Sequence, residues 1–327
     1  MSDKVNVEEV VEEKKTKKKS SEENFIASAL SEEEYKARVK LAREKAKKDN
    51  MKKLFRDIIL YIVLTAIAAV YMIPVIVIII NSFKGNLYVS DAPFELPDDK
   101  TFVALNNYKR GLVDIDFANV FLRSFIITIT SVLLIIVCTS MIAWFIARVR
   151  NVFTEFVYYM FAFSMIVPFQ MVMYTLTYIA TSCHLNTPWT ICVVYLGFGA
   201  GMSVFMFVGF CKSIPLEIEE AATVDGCNPI QLFFKIIFPI LKPTAITVAI
   251  LNAMWIWNDY LLPNLVLKKE YSTVPIAIQK SLTGSYGQND MGALMAMLVL
   301  TIIPIIIFYL CGQKYIIKGV VAGAVKG

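Results

Sequence analysis

Six apolar stretches, each long enough to cross a bilayer, confine this chain to a helical membrane fold. A spanning helix needs about 20 mostly apolar residues at 1.5 Å rise each. Such stretches fall near 58–81, 124–147, 156–180, 190–211, 244–267 and 291–311, and the run from Ile58 to Ile80 contains no charge. Within hydrocarbon every backbone N–H and C=O must be satisfied inside the spanning segment, which for single runs means helix. The expected fold is therefore an all-α integral membrane protein with six transmembrane helices. Hydrophobic residues make up 57% of the 327, against roughly 45–50% in soluble chains. The first run starts too far into the chain, and is too long, to be a cleaved signal peptide.

Charge is segregated. Residues 1–57 hold 16 of the 32 Lys and Arg and 13 of the 27 Asp and Glu. Lys45, Lys47, Lys48, Lys52, Lys53 and Arg56 stand directly before the first run, which places the N-terminus in the cytoplasm. An even number of spans then returns the C-terminus to the same side. Arg148, Arg150, Lys212, Lys235, Lys242, Lys314, Lys318 and Lys326 mark the later inner segments, although the outer loops also carry bases such as Lys84, Lys109 and Lys268. The juxtamembrane cluster decides the orientation. Residues 1–52 form a charged cytoplasmic N-terminal region, low in complexity over 4–23 and partly disordered. Ser31 and Glu34 fit a capping box opening a short helix to about Lys48. This region is read as a solvated tail in preference to a docking arm. Residues 53–327 form the six-span domain.

A net charge of +5, with its densest basic cluster beside an apolar run, points to membrane lipid and not to nucleic acid as a partner. The six cysteines are scattered without a CxxC spacing, so neither a disulfide framework nor a metal site is expected.

The polar loop 212–243 is punctuated as two short helices around a sharp turn. Ser213 is positioned to cap and Pro215 to occupy a first turn. Leu216 to Val224 reads as helix, with Glu217, Glu219 and Glu220 in its positive N-terminal half. Gly226 ends it in the left-handed conformation, and Asn228-Pro229 restarts the chain. Ile230 to Phe238 continues as helix until Pro239 and Pro243 interrupt it. Ala221 and Ala222 permit close approach of a partner surface, and Glu219, Glu220 and Asp225 supply directional contacts. The alternative is an ordinary amphipathic elbow on the membrane.

The spacing Glu220-Ala221-Ala222, Asp225-Gly226, Phe234, Pro239, Pro243 resembles the EAA motif of bacterial ATP-binding-cassette (ABC) importer permeases. More narrowly, the chain is similar to carbohydrate permeases related to the smaller membrane subunit of the maltose transporter. Pro168, Gln170, Leu185-Asn186-Thr187, Ile214-Pro215, Trp257-Asn258-Asp259 and the terminal Gly323-Ala324-Val325-Lys326-Gly327 extend the similarity over about 55–327. The resemblance implies a type I ABC importer permease fold. It also implies pairing with a homologous permease subunit, docking of the EAA helix into one of two ATP-binding-cassette ATPase subunits, and delivery of sugar by an extracellular or periplasmic binding protein. The ATPase-coupling residues would be Glu219, Glu220, Ala221, Ala222, Asp225 and Gly226. The chain lacks a GxxxxGK[ST] phosphate loop, so it is not the enzyme. It binds no cofactor itself, and ATP with Mg is used by the partner ATPases.

Asn252, Trp255 and Asp259 stand at i, i+3 and i+7 in the fifth stretch, with Asn258 beside them. That face suits sugar hydroxyls and the apolar side of a sugar ring, and an intramembrane carboxylate is a functional candidate by default. The competing reading is a tie between helices. Gly197 and Gly201 form a GxxxG pair for close packing, Pro168 is expected to kink the third span, and His184 is read as a plain loop residue. In the loop after Lys268, Gly284, Ser285 and Tyr286 are the candidates for contact with a binding protein. A gradient-driven secondary transporter is the alternative, but it calls for several intramembrane carboxylates or histidines, and Asp259 is the clear acidic candidate.

Overall fold

The structure is a computed structural model that describes residues 32–114, 116–283 and 290–324. The tail with its expected cap at Ser31, the candidate contacts Gly284, Ser285 and Tyr286, and residues 325–327 lie outside the described residues. The chain divides into two compact units, Met1–Pro74 and Val75–Gly327. Secondary structure among the described residues is helical, apart from an isolated bridge between Lys84 and Phe102.

Helix α1 runs from Glu32 to Asn81. The charged helix expected to stop near Lys48 is thus continuous with the first apolar run, because neither Gly nor Pro falls before Pro74. Two short helices follow, α2 (Asn86–Asp91) and α3 (Asn106–Asp114). Then come α4 (Phe117–Arg148), α5 (Val152–Ser164) and α6 (Phe169–Ser182). Helix α7 is Ile191–Cys211, α8 Leu216–Val224 and α9 Pro229–Leu232. A π-helical turn, Phe233–Ile237, leads into α10 (Phe238–Asn258). The chain finishes with α11 (Leu261–Val266), α12 (Val274–Leu282) and α13 (Met291–Ala324). Among the described residues, five helical segments are long and apolar enough to span, and α5 with α6 would make a sixth.

That pair departs from expectation. The third span is not kinked at Pro168 but broken, with α5 and α6 bent by 106°. Pro168 takes extended backbone (φ −65°, ψ 137°) as the residue before α6. Its ring disfavours helical backbone in the residue before it. At the far end of α6, His184 adopts φ +57°. Its N–H donates to Thr181 O at 3.1 Å, and Leu185 N–H donates to Ala180 O at 2.7 Å. This is a Schellman closure with histidine where glycine is usual, so the sole histidine has a backbone role.

The core of the second unit is built by α4, α7 and α10, whose buried residues include Ile127, Ile135, Val204, Phe207, Leu241 and Val248. Lipid removes the hydrophobic drive for helices to associate, so small residues and short polar bridges must hold them. Both occur on α7. A Cβ on Gly199 would meet Ile135 and Asn252, and one on Gly201 would sit 2.9 Å from Phe161 O and 2.7 Å from Ser164 Oγ. Gly197, by contrast, faces open space, so the GxxxG pair is not one surface. Ser203 Oγ donates to Gly199 O at 2.7 Å and accepts from Asn252 Nδ2 at 3.2 Å, joining α7 to α10.

At the Phe117 end of α4 the chain before it is tied by polar side chains. Asn107 Nδ2 donates to Ser82 O and Lys84 O at 2.8 and 2.7 Å. Arg110 pairs with Asp290 at 2.7 Å. Lys84 is buried, with Nζ donating to Ala92 O at 2.6 Å. Burial pushes its ammonium below the ordinary lysine range, opposed by the nearby Glu95.

Two glycines four residues apart therefore predict opposite outcomes. Gly201→Val should sharply reduce the amount of folded protein recovered in mild detergent, because backbone on α5 stands in the way. Gly197→Ala should leave recovery and thermal unfolding unchanged. Equal behaviour of the two variants would refute the packing assignment.

Candidate functional site

The loop between α7 and α10 folds into the elbow that the punctuation foretells, with two changes of detail. Helix α8 covers Leu216–Val224, but Ser213 does not cap it. Its hydroxyl turns back to Phe210 O at 2.7 Å, and Pro215 itself is the residue before the helix. The α8 C-terminus is a Schellman motif: Gly226 N–H donates to Thr223 O and Cys227 N–H to Ala222 O, both at 3.0 Å, with Gly226 at φ +83°. Asn228 then caps α9 through Gln231 N–H at 2.8 Å, and Gln231 Oε1 accepts the Asn228 N–H in return. Pro239 and Pro243 do not end the second arm. The irregularity is the π turn just before them. Pro239 falls in the first turn of α10, where its missing N–H is tolerated, and the helix runs on to Asn258.

The two faces of α8 differ. Ala222 and Glu219 are buried, whereas Glu220, Ala221, Thr223, Val224 and Asp225 are exposed, Val224 at 88%. Ile230 and Phe234 on the second arm are exposed as well. Glu219 and Ala222 therefore do not share the outward face with the other four candidate coupling residues, Glu220, Ala221, Asp225 and Gly226, and Ala222 packs inward where close approach of a partner was expected of it. Arg148, the last residue of α4, reaches it with Nη2 at 2.6 Å and donates from Nε at 2.7 Å to the same Oε1. Trp144 Nε1 donates to Oε2 at 3.1 Å, and Arg148 Nη2 also holds Ile214 O at 3.0 Å. The Trp144 ring lies 5.6 Å from the Phe233 ring in the π turn. Both arms of the elbow are thereby fastened to α4, to which they have no direct chain connection. A charge this far from water is tolerated because it is paired and its remaining lone pairs are hydrogen-bonded.

Arg148 and Trp144 are the residues that hold the elbow in place, and in the sequence Arg148 reads only as a marker of orientation. The signal was present: Trp144 and Arg148 are i and i+4 at the end of a run otherwise free of charge, one helix face presenting two donors.

The second candidate group is dispersed. Helix α10 ends at Asn258, so the fifth span stops short of 267, and Asp259 follows in extended backbone (ψ 121°). The proposed i, i+3, i+7 face thus loses its last member. Asn252 is buried, and its amide is spent on Ser203 and on Val248 O at 2.9 Å. Asp259 Oδ1 accepts from Leu261 and Leu262 N–H at 3.0 and 3.4 Å, and Oδ2 accepts from Tyr195 Oη at 3.1 Å. Trp255 meets the Tyr195 ring edge-on at 5.5 Å and is exposed, as is Asn258, whose amide donates to Met254 O. Tyr195 is thus the link between Trp255 and Asp259. Among the described residues no group of His, Cys, Asp and Glu is placed to hold a metal ion.

Spans around a polar elbow with one fastened and one open face define a multi-pass membrane protein. The chain belongs to the family of binding-protein-dependent transport system inner membrane components, whose sequence profile matches residues 140–321. It is 37% identical to the probable starch degradation products transport system permease protein AmyC of Thermoanaerobacterium thermosulfurigenes, over 80% of this chain and 93% of that one. It is 36% identical to the multiple sugar-binding transport system permease protein MsmG of Streptococcus mutans, over 81% of this chain and 96% of that one. Among solved structures, it shares the fold of a chain of a bacterial ABC transporter involved in the import of the acidic polysaccharide alginate. The TM-score is 0.67 at 24% identity, covering 79% of this chain and 95% of that one. Family membership carries with it, in general terms, a partner permease, an ATPase and a binding protein, and rules against a gradient-driven carrier.

Removing the guanidinium should free the elbow. Arg148→Ala leaves Glu219 buried and unpaired, a loss of about 3–5 kcal/mol locally. Limited proteolysis of the purified protein should then cut within 212–232 at protease levels that leave the wild type intact. An unchanged cleavage pattern would refute the fastening role.

Proposed function

We infer that this chain is the membrane-spanning permease subunit of an ATP-driven, binding-protein-dependent importer for a sugar or oligosaccharide. The observation that carries this reading is the division of α8 into a fastened face and an open one. Glu220, Ala221, Thr223, Val224 and Asp225 offer small, apolar and acidic groups on a helix held from behind, which is what a rigid contact with an ATPase subunit requires. Asp225 and Glu220 supply directional bonds, Ala221 permits close approach, and Gly226 sets the turn that aims the helix. ATP and Mg belong to the partner ATPases. The named substrates of the relatives, starch degradation products and multiple sugars, support a carbohydrate as the solute.

On this reading the elbow lies in the cytoplasm and the N-terminus on the same side, as the basic cluster before the first span favours. Trp255, Asn258 and Asp259 lie at the opposite end of α10, on the side from which solute arrives. There an aromatic face and polar groups suit a sugar. Asn252 contributes by holding α10 against α7. Gly284, Ser285 and Tyr286 remain the proposed contact for the binding protein.

Two experiments test this. The tagged protein, purified from its native membrane in mild detergent, should bring with it a second six-span permease, a P-loop ATPase and a substrate-binding protein. A homo-oligomer without an ATPase, even after gentle crosslinking, would overturn the reading. In the reconstituted complex, Gly226→Val should uncouple ATP hydrolysis from uptake. Open space surrounds a Cβ at this position, so the cost is that of left-handed backbone alone, about 1–2 kcal/mol, and Gly226→Asn should retain coupling. Wild-type uptake by the valine variant would remove the turn from the mechanism.

A further inference from the structure

Helix α4 has a property that no other described span shares. Its 32 residues contain neither glycine nor proline. By contrast α1 contains Pro74, α5 and α6 are parted at Pro168, and α7 carries four glycines. Helix α10 carries Pro239 and Pro243 and is preceded by a π turn, and α13 contains Pro304. Kinks and hinges arise at such positions, so α4 is the stiff member of the bundle. At 1.5 Å per residue it is about 48 Å long, enough to reach from one face of a membrane to the other.

Each end of this helix grips a short element that belongs to a loop. At one end, Arg148 and Trp144 hold Glu219 of the elbow. At the other, Ser124 Oγ accepts the N–H of Val274 at 2.8 Å, and both residues are buried. Val274 is the first residue of α12, whose opening N–H groups have no partner within the helix. Pro275 has no N–H to give, Ala277 N–H is taken by Thr273 O, and Val274 relies on Ser124. Two further contacts support this grip. The Arg123 guanidinium lies over the Tyr271 ring at 5.9 Å, and Phe117 and Val120 pack with Val274 and Ala277. In sequence, α12 directly precedes Gly284, Ser285 and Tyr286, the candidate contacts for a binding protein.

We propose that α4 is the mechanical link between the two faces of the transporter, joining the ATPase-docking elbow to helix α12 on the side that receives the solute-loaded binding protein. This rests on the importer reading. Movement of the elbow is passed to α4 through the Arg148–Glu219 pair, and reappears as movement of α12 through Ser124 about 36 Å away along the helix. By linkage the coupling runs both ways: a binding protein docked at the α12 end biases the elbow and so the ATPase. Ser124 and Glu219 act as positioning residues, since neither touches solute or nucleotide.

The test uses the complete complex in lipid nanodiscs, with ATPase activity measured with and without solute-loaded binding protein. Ser124→Ala should leave basal hydrolysis unchanged and cut the stimulation by the binding protein roughly five-fold or more, the range of ordinary allosteric coupling. Glu219→Gln should lower the same stimulated-to-basal ratio from the other end. The double variant should be no worse than the weaker single one, because both break one link. Full stimulation in either single variant, or losses that multiply in the double, would overturn the proposal. A third pair guards against assembly defects. Leu133 is exposed in mid-helix, so Leu133→Gly softens the rod without touching its ends; it should lower the ratio while Leu133→Ala does not, and equal ratios would count against the link. A wild-type complex that hydrolyses no ATP would sink the importer reading and the link with it, whereas active hydrolysis that the binding protein does not stimulate would overturn the link alone.

Discussion

The buried pair between Arg148 and Glu219 is the constraint on which the arrangement of this protein depends. The elbow is joined covalently only to α7 and α10, and a nine-residue helix on two flexible connections would wander. Three donors from α4 converge on one carboxylate, and the hydrogen bond from Arg148 to Ile214 O holds the strap that enters the elbow. Pairing makes the charge tolerable, and the low dielectric around it makes the geometry demanding. An apolar contact in the same place would bind as well and orient less, because it lacks direction. The elbow consequently behaves as an extension of α4 and not as a loop.

Much of this was readable from residue order. The spans follow from run length, and the inner turn of the elbow follows from Gly226 and Asn228-Pro229, where one residue type meets one backbone requirement. What escaped was of two kinds. One is the size of a proline's effect: Pro239 and Pro243 look like breaks, but a π turn ahead of them lets the helix continue, whereas Pro168, which looks like a kink, separates two helices at 106°. A proline announces a disturbance without its size, because size depends on what else satisfies the freed carbonyls. The second kind was the partner of a polar residue. Glu219 and Glu220 are adjacent and chemically alike, yet one faces α4 and the other solvent. Only the rotation of α8 decides between them, and that is fixed by Arg148, 71 residues earlier.

The same limit applies to the group near the end of α10. A helical projection placed Asn252, Trp255 and Asp259 on one face, and the projection holds only while the helix does. The chain leaves helix at Asp259, whose carboxylate serves the first turn of α11 and the Tyr195 hydroxyl. Tyr195 could not be picked out in a span rich in aromatics, since its distinction lies entirely in what it touches. Asn252, the most polar residue at the centre of that span, is polar for a reason internal to the fold: Gly199, Ser203 and Asn252 let α7 and α10 approach closely and then lock.

Stiffness is distributed unevenly among the spans, and the distribution has a mechanical sense. An importer that alternates its access must let some helices bend while others carry displacement without loss. Prolines, glycines and the π turn collect at the break between α5 and α6 and in α7, α10 and α13, where bending would open or close a passage between packed helices. Helix α4 is spared all three. It ends on a guanidinium that fixes the elbow, and two turns from its start the Ser124 hydroxyl holds α12, so it is anchored near both ends. A helix whose backbone cannot hinge, and whose ends cannot slip, transmits force by default. The alternative, in which the two faces communicate only through the bending spans, would ask the most compliant parts of the bundle to preserve a displacement that their own prolines and glycines are built to absorb.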